Sequence, residues 1–206
     1  FHNELGIKPD DKILQFAPAT FDISVWEFAM AFSTGASLCL VSMDTIHNPE
    51  QLEQYAEEAG VTVALFPPTY MNRLRPEQLM SLRILLTCGS EPSAQQFMHW
   101  GSSMRVVNAY GPTEATIVAT AWEMDQGAQI SVVPIGYPLP NVRICIIDAA
   151  MNPVPAGVIG ELCISGIGLA REYLNKPEIT ARQFVATDIP GFERMYRTGD
   201  FVKQLP

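Results

Sequence analysis

The chain has 206 residues, 48% of them hydrophobic and 17% charged, a composition that predicts a sizeable folded core and argues against disorder. Its 13 Lys and Arg against 22 Asp and Glu give a formal net charge of −9, which argues against non-specific binding to nucleic acids or to anionic membranes. No apolar run reaches about 18 residues, so we expect no segment that spans a membrane.

Strand and helix signals alternate along roughly the first 120 residues. Predicted strands lie at residues 12–17, 36–41, 61–66, 83–88 and 104–107. Predicted helices lie at residues 22–33, 49–60, 69–74 and 92–100. The first helix has Asp22 or Ser24 near its N-cap and Gly35 at its end. Because the strands are continuous apolar runs separated by helices, they indicate an α/β fold with a parallel sheet covered on both faces.

The pattern changes after about residue 126, where helical periodicity largely stops. Residues 142–148 and 160–165 read as strands between Pro and Gly turns, and one further helix is predicted at 178–184. We therefore predict an α/β subdomain at residues 1–127 and a β-rich subdomain at 128–206.

Four loops follow predicted strands of the parallel sheet, at residues 18–24, 67–69, 89–92 and 109–114. Ligands of such sheets bind beyond the carboxyl ends of the strands. The topology therefore predicts that these four loops line one crevice.

The last of these loops presents a hydroxyl and a carboxylate side by side, at Thr113 and Glu114. A hydroxyl can donate to a phosphate oxygen, and a carboxylate can hold the Mg²⁺ that accompanies phosphates. Taken alone, the same residues also fit a solvated turn between strands.

The cysteines are Cys39, Cys88, Cys145 and Cys163. Each lies in an apolar run and no two form a CxxC pair, which predicts reduced thiols and a cytoplasmic protein. The histidines have no metal-ligand spacing.

Four sequence blocks occur in order: FDISVWE at 21–27, NAYGPTE at 108–114, GELCISGIGLAREY at 160–173 and YRTGD at 196–200. With these blocks, the chain resembles the central part of an adenylation domain of a non-ribosomal peptide synthetase, within the adenylate-forming enzymes that include acyl-CoA ligases and luciferases. The resemblance implies a flavodoxin-like subdomain followed by a distorted-barrel β subdomain.

The chain departs from the family pattern at Glu172, where Gly is usual, and at Phe201, where Leu is usual. The family's phosphate loop with its Lys is expected before residue 1, and the small domain with the catalytic Lys is expected after residue 206. We therefore expect an incomplete core that works with the rest of an adenylation domain.

In the family a carboxylic acid attacks the α-phosphate of ATP, giving an acyl-adenylate and pyrophosphate. By resemblance, Thr113 contacts phosphate and Glu114 holds Mg²⁺ as the catalytic pair. Tyr110 lies against the adenine, and Asp200, otherwise a plain turn residue, accepts from the ribose hydroxyls. The remaining positions implied for ATP are Gly89, Ser90, Glu91, Asn108, Ala109 and Gly111.

By resemblance, Asp22 pairs with the substrate's α-ammonium group, although Asp is also a common helix N-cap. The positions that match the family's side-chain pocket are Ile23, Trp26, Leu65, Leu86, Cys88, Ala109, Ile117 and Val118. None of these could pair with a charged side chain, so the resemblance predicts an apolar α-amino acid. Without the resemblance, Leu65 and Leu86 would be interpreted as ordinary core residues.

The resemblance thus implies ATP-dependent activation of an apolar amino acid and its loading onto the phosphopantetheine thiol of a peptidyl-carrier domain, as in antibiotic biosynthesis. Two alternatives remain open. One is an acyl- or aryl-CoA ligase, which Asp22 argues against. The other is a substrate-recognition subdomain without activity by itself.

Overall fold

The structure, a computed structural model, describes residues 5–205, and the chain divides into two compact units. The first unit holds the residues up to Tyr110 together with Ala121–Tyr137. The second holds Gly111–Thr120 together with the residues from Pro138 onward. The subdomain boundary predicted from the sequence, between residues 127 and 128, stays a prediction.

The larger sheet has seven strands among the described residues. They are β1 (Lys12–Gln15), β2 (Ser37–Leu40), β3 (Val63–Leu65), β4 (Ile84–Thr87), β5 (Arg105–Tyr110), β6 (Thr120–Glu123) and β7 (Tyr137–Pro138). The helices of this part are α1 (Asp22–Thr34), α2 (Met43–His47), α3 (Pro49–Ala59), α4 (Pro68–Met71) and α5 (Ala94–Gly101), and a 3₁₀ turn spans Pro76–Gln78. The strand β6 and the short elements α2 and β7 are absent from the sequence-based prediction.

The strand order of this sheet is β2-β1-β3-β4-β5-β6-β7. The pairs β1–β2, β1–β3, β3–β4 and β4–β5 are parallel. The first five strands thus follow the flavodoxin-like order, with the winding reversed between β1 and β3. The predicted parallel sheet with flanking helices is confirmed, and the carboxyl ends of β1, β3, β4 and β5 lie at one edge.

The two faces of the sheet carry different side chains. On one face, Leu14, Leu85 and Val106 belong to the main hydrophobic core together with Phe97 and Trp100 of α5. Successive side chains of a strand alternate between faces. Leu86 follows Leu85 on β4 and therefore points to the opposite face, as does its register partner Leu65 on β3.

Helix α1 begins directly after Phe21, which is its N-cap residue and makes no side-chain capping bond. Asp22 is the first helical residue and not the cap, so the alternative role proposed for it was wrong. A carboxylate in the first turn still interacts favourably with the helix dipole. The helix ends at Gly35, which adopts φ 77 as a left-handed cap, as the sequence predicts.

The second unit is β-rich, as predicted. Within the described residues its sheet contains β8 (Val142–Ile147), β9 (Gly160–Gly166), β10 (Phe184–Ala186) and β11 (Arg194–Val202), in the order β10-β11-β9-β8 with antiparallel pairing. A helix, α6, spans Pro177–Gln183, and a 3₁₀ turn spans Thr113–Ala115. Ile147, Cys163 and Met195 form the centre of its core.

All four cysteines carry free thiols. Burial raises the pKa of Cys163 to about 12, with a smaller contribution from the nearby Glu161 charge, so its thiol stays protonated near neutral pH. No described helix combines the length and the apolar composition that crossing a membrane requires.

Candidate active site

A buried carboxyl on α1 holds the segment that follows β1. Glu27 is fully buried, and its Oε1 accepts hydrogen bonds from the backbone amides of Phe16 and Ala17, both at 3.1 Å. Burial raises the pKa of Glu27 to about 7, and the hydrogen bonds from these amides and Gln15 lower it only in part. The carboxyl end of β1 is therefore fixed to the helix that carries Asp22.

Asp22 and Cys88 lie near each other in the first unit. Burial raises the pKa of Cys88 to about 12, and the charges of Asp22 and Glu27 add to this shift. Asp22 is half-buried in the first turn of α1, while Cys88 follows the carboxyl end of β4. An acidic side chain thus stands close to an apolar thiol at the sheet edge.

Four of the predicted pocket positions share one face of the sheet. Leu65 is the register partner of Leu86, and Leu86 is the register partner of Val107. Cys88 follows Leu86 by two residues and Ala109 follows Val107 by two residues, so both side chains lie on the same face as their strand's partner residue. All four are 8% exposed or less, as is Trp26, whereas Ile23 is half-buried. Their burial also suits ordinary core, so a role in substrate selection stays a prediction.

The predicted adenine-side residues follow β4 and end β5. Gly89, with φ 89, opens an exposed loop that continues through Ser90 and Glu91. Asn108 is buried, and its Nδ2 donates to the Pro134 carbonyl at 2.8 Å, while Ala109 is buried and Tyr110 half-buried. The Gly89 conformation leaves open space at its Cα, so a ligand can approach the backbone.

A buried hydroxyl that the sequence analysis missed lies beside Asn108. Thr87 is fully buried on β4, is the register partner of Asn108, and its Oγ1 has no hydrogen-bond partner among the described residues. An unsatisfied buried hydroxyl is uncommon in native proteins. The sequence signal was available, because Thr87 is a lone polar residue in an apolar strand.

The turn that carries Thr113 and Glu114 is strained. Thr116 and Ile117 follow it with φ 63 and φ 71, although both are β-branched and such residues rarely adopt positive φ. Gly111 makes the turn possible, since a Cβ there would lie 2.5 Å from the Ile117 carbonyl oxygen. Strained backbone of this kind is often found at functional sites.

Three hydrogen bonds hold this turn to residues 168–173 of the second unit. The Ala170 amide donates to the Glu114 carbonyl at 2.8 Å, and the Thr116 hydroxyl donates to the Gly168 carbonyl. The Tyr173 hydroxyl donates to Glu114 Oε1 at 2.5 Å. Burial, followed by this bond to the carboxylate, raises the pKa of Tyr173, so the phenol remains a donor. Thr113 is exposed, Glu114 half-buried and Val118 buried.

Asp200 lies on a bulge of β11. The register with β9 shifts between Arg197, opposite Cys163, and Phe201, opposite Glu161. Glu161 holds the bulge, because it accepts from the Arg197 guanidinium at 2.5 Å and from the Gly199 amide at 3.2 Å. The bulge leaves Asp200 exposed.

The chemistry of the second unit fits a magnesium ion held jointly with phosphates. No group of three or more His, Cys, Asp and Glu that could hold a metal occurs among the described residues. Mg²⁺ is usually bound by one or two carboxylates, waters and substrate phosphates rather than by an all-protein cage. Glu114, half-buried and hydrogen-bonded to Tyr173, is a carboxylate of the kind that could take that role.

Glu27, Glu161 and Tyr173 make the hydrogen bonds described above and were not predicted as functional. All three belong to the sequence blocks, so their positions were visible in the sequence. Their contacts were not, because the Tyr173–Glu114 bond joins residues 59 positions apart and the Arg197–Glu161 bond joins residues 36 apart.

Comparisons with known proteins show which family the chain matches. Residues 1–174 match the family described as AMP-binding enzyme. The chain is 46% identical over 207 residues to tyrocidine synthase 1 of Brevibacillus parabrevis and 43% identical over 206 residues to gramicidin S synthase 1 of Brevibacillus brevis. In both cases the match covers 100% of this chain and 19% of the relative.

A solved structure is similar along nearly the whole chain. It is the N-terminal subdomain of Klebsiella oxytoca NpsA in complex with 3-hydroxybenzoyl-AMSN. The TM-score is 0.84 at 26% identity, and the match covers 98% of this chain and 53% of the other.

Proposed function

Because the chain belongs to the AMP-binding enzyme family, as its sequence blocks indicate, we propose that it activates an apolar α-amino acid at the expense of ATP. The product is an aminoacyl-adenylate and the leaving group is pyrophosphate. The observation that carries the substrate class is geometric. Asp22 opens α1, which Glu27 joins to the segment after β1, and four of the predicted apolar positions share one face of that sheet.

Asp22 discriminates amino acids from other carboxylic acids in this proposal. An α-ammonium group that leaves water needs a charged partner, and a carboxylate in the first turn of α1 can supply it. Leu65, Leu86 and Ala109 offer no charge to a substrate side chain. A charged side chain buried against them would be unpaired, which costs several kcal/mol.

The phosphate end of the reaction is assigned to the second unit. In the proposal Thr113 donates to phosphate, Glu114 holds Mg²⁺, and Asp200 accepts from the ribose. Mg²⁺ neutralises phosphate charge as it develops, and the protein's contribution is to position the groups. The strained turn at Thr116 and Ile117 and the hydrogen-bonded Glu114 support this assignment.

The similarity to tyrocidine and gramicidin S synthases supports the later steps of the proposal. The adenylate would acylate the phosphopantetheine thiol of a peptidyl-carrier domain in non-ribosomal peptide synthesis. A cytoplasmic location belongs to the same proposal and is supported by the four free thiols.

A second candidate function is activation of an aryl acid. It is favoured by the structural neighbour, which holds a 3-hydroxybenzoyl compound. A hydroxybenzoyl group has no α-ammonium group, so such a substrate would offer no cation to Asp22. This difference separates the two candidates by experiment.

Amino-acid-dependent exchange of pyrophosphate into ATP, measured on the complete protein that carries this chain, tests the substrate class. We expect exchange with one or a few of Leu, Ile, Val, Phe and Met, and at least about 100-fold lower kcat/KM with Asp, Lys or Arg, because an unpaired buried charge costs about 3 kcal/mol or more. A preference for a charged amino acid, or for hydroxybenzoate, would contradict the proposal.

A further inference from the structure

Tyr173 has no role in the activation chemistry proposed above, yet its hydroxyl reaches the carboxylate assigned to Mg²⁺. It donates to Glu114 Oε1 at 2.5 Å and lies 3.3 Å from the hydroxyl of Tyr196. The Tyr196 hydroxyl also hydrogen-bonds the Glu114 carboxylate. The two phenols and the Glu114 carboxylate therefore form one hydrogen-bonded cluster, in which each bond polarises the others.

The position of the Tyr173 hydroxyl is fixed by packing. The Phe184 ring packs against both tyrosines, with ring centroids 5.6 Å from Tyr173 and 5.0 Å from Tyr196. The Arg194 guanidinium covers Phe184 at 4.6 Å. At the backbone, the Tyr173 amide donates to Thr180 Oγ1 at 3.0 Å. The ring therefore has little freedom to withdraw its hydroxyl.

The backbone of Glu114 is held by the same segment, since the Ala170 amide donates to its carbonyl at 2.8 Å. The main chain of Glu114 is thus held by Ala170 and its carboxylate by Tyr173, which restricts the orientations that the carboxylate can adopt. Carboxylates that bind metals are commonly oriented by such hydrogen bonds.

We propose that Tyr173 is a positioning residue that orients the Glu114 carboxylate for binding of the ATP-associated divalent cation. The inference rests on the proposed function, in which Glu114 is the metal-binding carboxylate. Tyr173 does not touch the cation. It acts through Glu114, and Tyr196 belongs to the same hydrogen-bonded cluster.

The test is direct binding of Mn²⁺ in the presence of ATP to the complete protein, followed by electron paramagnetic resonance. Tyr173→Phe keeps the ring that packs on Phe184 and removes only the hydroxyl. We expect Mn²⁺ binding to weaken by about 10- to 100-fold, the usual cost of losing an orienting partner of a metal ligand. The KM for the amino acid is expected to stay unchanged.

Tyr55→Phe is the matched control. Its hydroxyl donates to the Leu40 carbonyl at 2.7 Å in the first unit, so this variant also loses one phenol hydrogen bond. We expect unchanged Mn²⁺ binding in Tyr55→Phe. Equal Mn²⁺ affinity in Tyr173→Phe and Tyr55→Phe would overturn the inference.

The variant Glu114→Gln distinguishes a failure of this inference from a failure of the proposed metal role of Glu114. If Glu114→Gln keeps the Mn²⁺ affinity of the wild type, the metal role of Glu114 is wrong and the inference falls with it. If Glu114→Gln loses affinity and Tyr173→Phe does not, only the role of Tyr173 is wrong. If the roles of Glu114 and Tyr173 are both right, the double variant with Tyr173→Phe and Glu114→Gln binds Mn²⁺ no more weakly than Glu114→Gln alone.

Discussion

At the scale of single residues, Glu27 is the buried acid with the largest consequence for pH dependence. It is fully buried, and its pKa is raised from 4.5 to about 7. Between these values the folded protein holds a proton that the unfolded chain has released. The stability that Glu27 contributes is therefore full below about pH 4.5 and is lost as the pH rises through 7.

Glu27→Gln removes this titration while it keeps an acceptor for the Phe16 and Ala17 amides. We expect the free energy of unfolding of the wild type to fall by about 3 kcal/mol more than that of Glu27→Gln between pH 5 and pH 8. Urea unfolding at a series of pH values measures the difference. Parallel pH profiles for the two proteins would show that Glu27 does not titrate in this range.

The pKa of Asp11 is shifted in the opposite direction, so Asp11 does not titrate between pH 5 and pH 8. Burial alone would raise its pKa, but hydrogen bonds from Arg83, the Lys8 amide and Thr62 lower it to about 2. Its contribution is present above pH 3.8 and is lost as the pH falls toward 2. Asp11 therefore affects acid unfolding and not the change expected between pH 5 and pH 8.

At the scale of elements, the bulge on β11 depends on one carboxylate. Glu161 accepts from the Arg197 guanidinium and from the Gly199 amide, and its side chain is only 12% exposed. Two strands of the sheet meet at this point, because Glu161 lies on β9 and Arg197 on β11. The bulge that carries Asp200 is therefore tied to the neighbouring strand by a largely desolvated charge.

Glu161→Ala is expected to lower the free energy of unfolding by about 2 kcal/mol, since Arg197 and the Gly199 amide lose their acceptor. Glu123→Ala is the matched control. Glu123 also pairs with an arginine, Arg105 at 2.7 Å, but both side chains are about 40% exposed. Exposed pairs contribute less than about 1 kcal/mol. Equal losses in urea unfolding would mean that burial at Glu161 adds nothing.

At the scale of the whole molecule, the sequence predicts what repeats locally. Continuous apolar strands such as β3 and β4, separated by helices, indicate a parallel sheet, and Pro49 and Gly60 mark the ends of α3. The loops after the strands follow from that topology. These features depend on neighbouring residues, so one chain was enough to find them.

Features that depend on distant residues were not predicted. The β11 strand escaped notice because Gly199 and the bulge interrupt its alternation and its partner β9 lies about 36 positions away. The return of Ala121–Tyr137 to the first unit leaves no local mark in the sequence. The hydrogen bond from Tyr173 to Glu114 was likewise not predicted, because the two residues are 59 positions apart.

The central claim is that the chain activates an amino acid whose α-ammonium group pairs with Asp22. Pyrophosphate exchange in the complete protein, with the preferred amino acid and with the same acid lacking the amino group, tests it in the wild type and in Asp22→Asn. The control is Asp44→Asn, which removes an exposed acid in the first turn of α2.

The wild type and Asp44→Asn are expected to prefer the amino acid by at least about 30-fold in kcat/KM, the lower limit for a desolvated charge pair. Asp22→Asn is expected to lose most of that preference and to keep its activity toward the acid without an amino group. An unchanged preference in Asp22→Asn would contradict the claim.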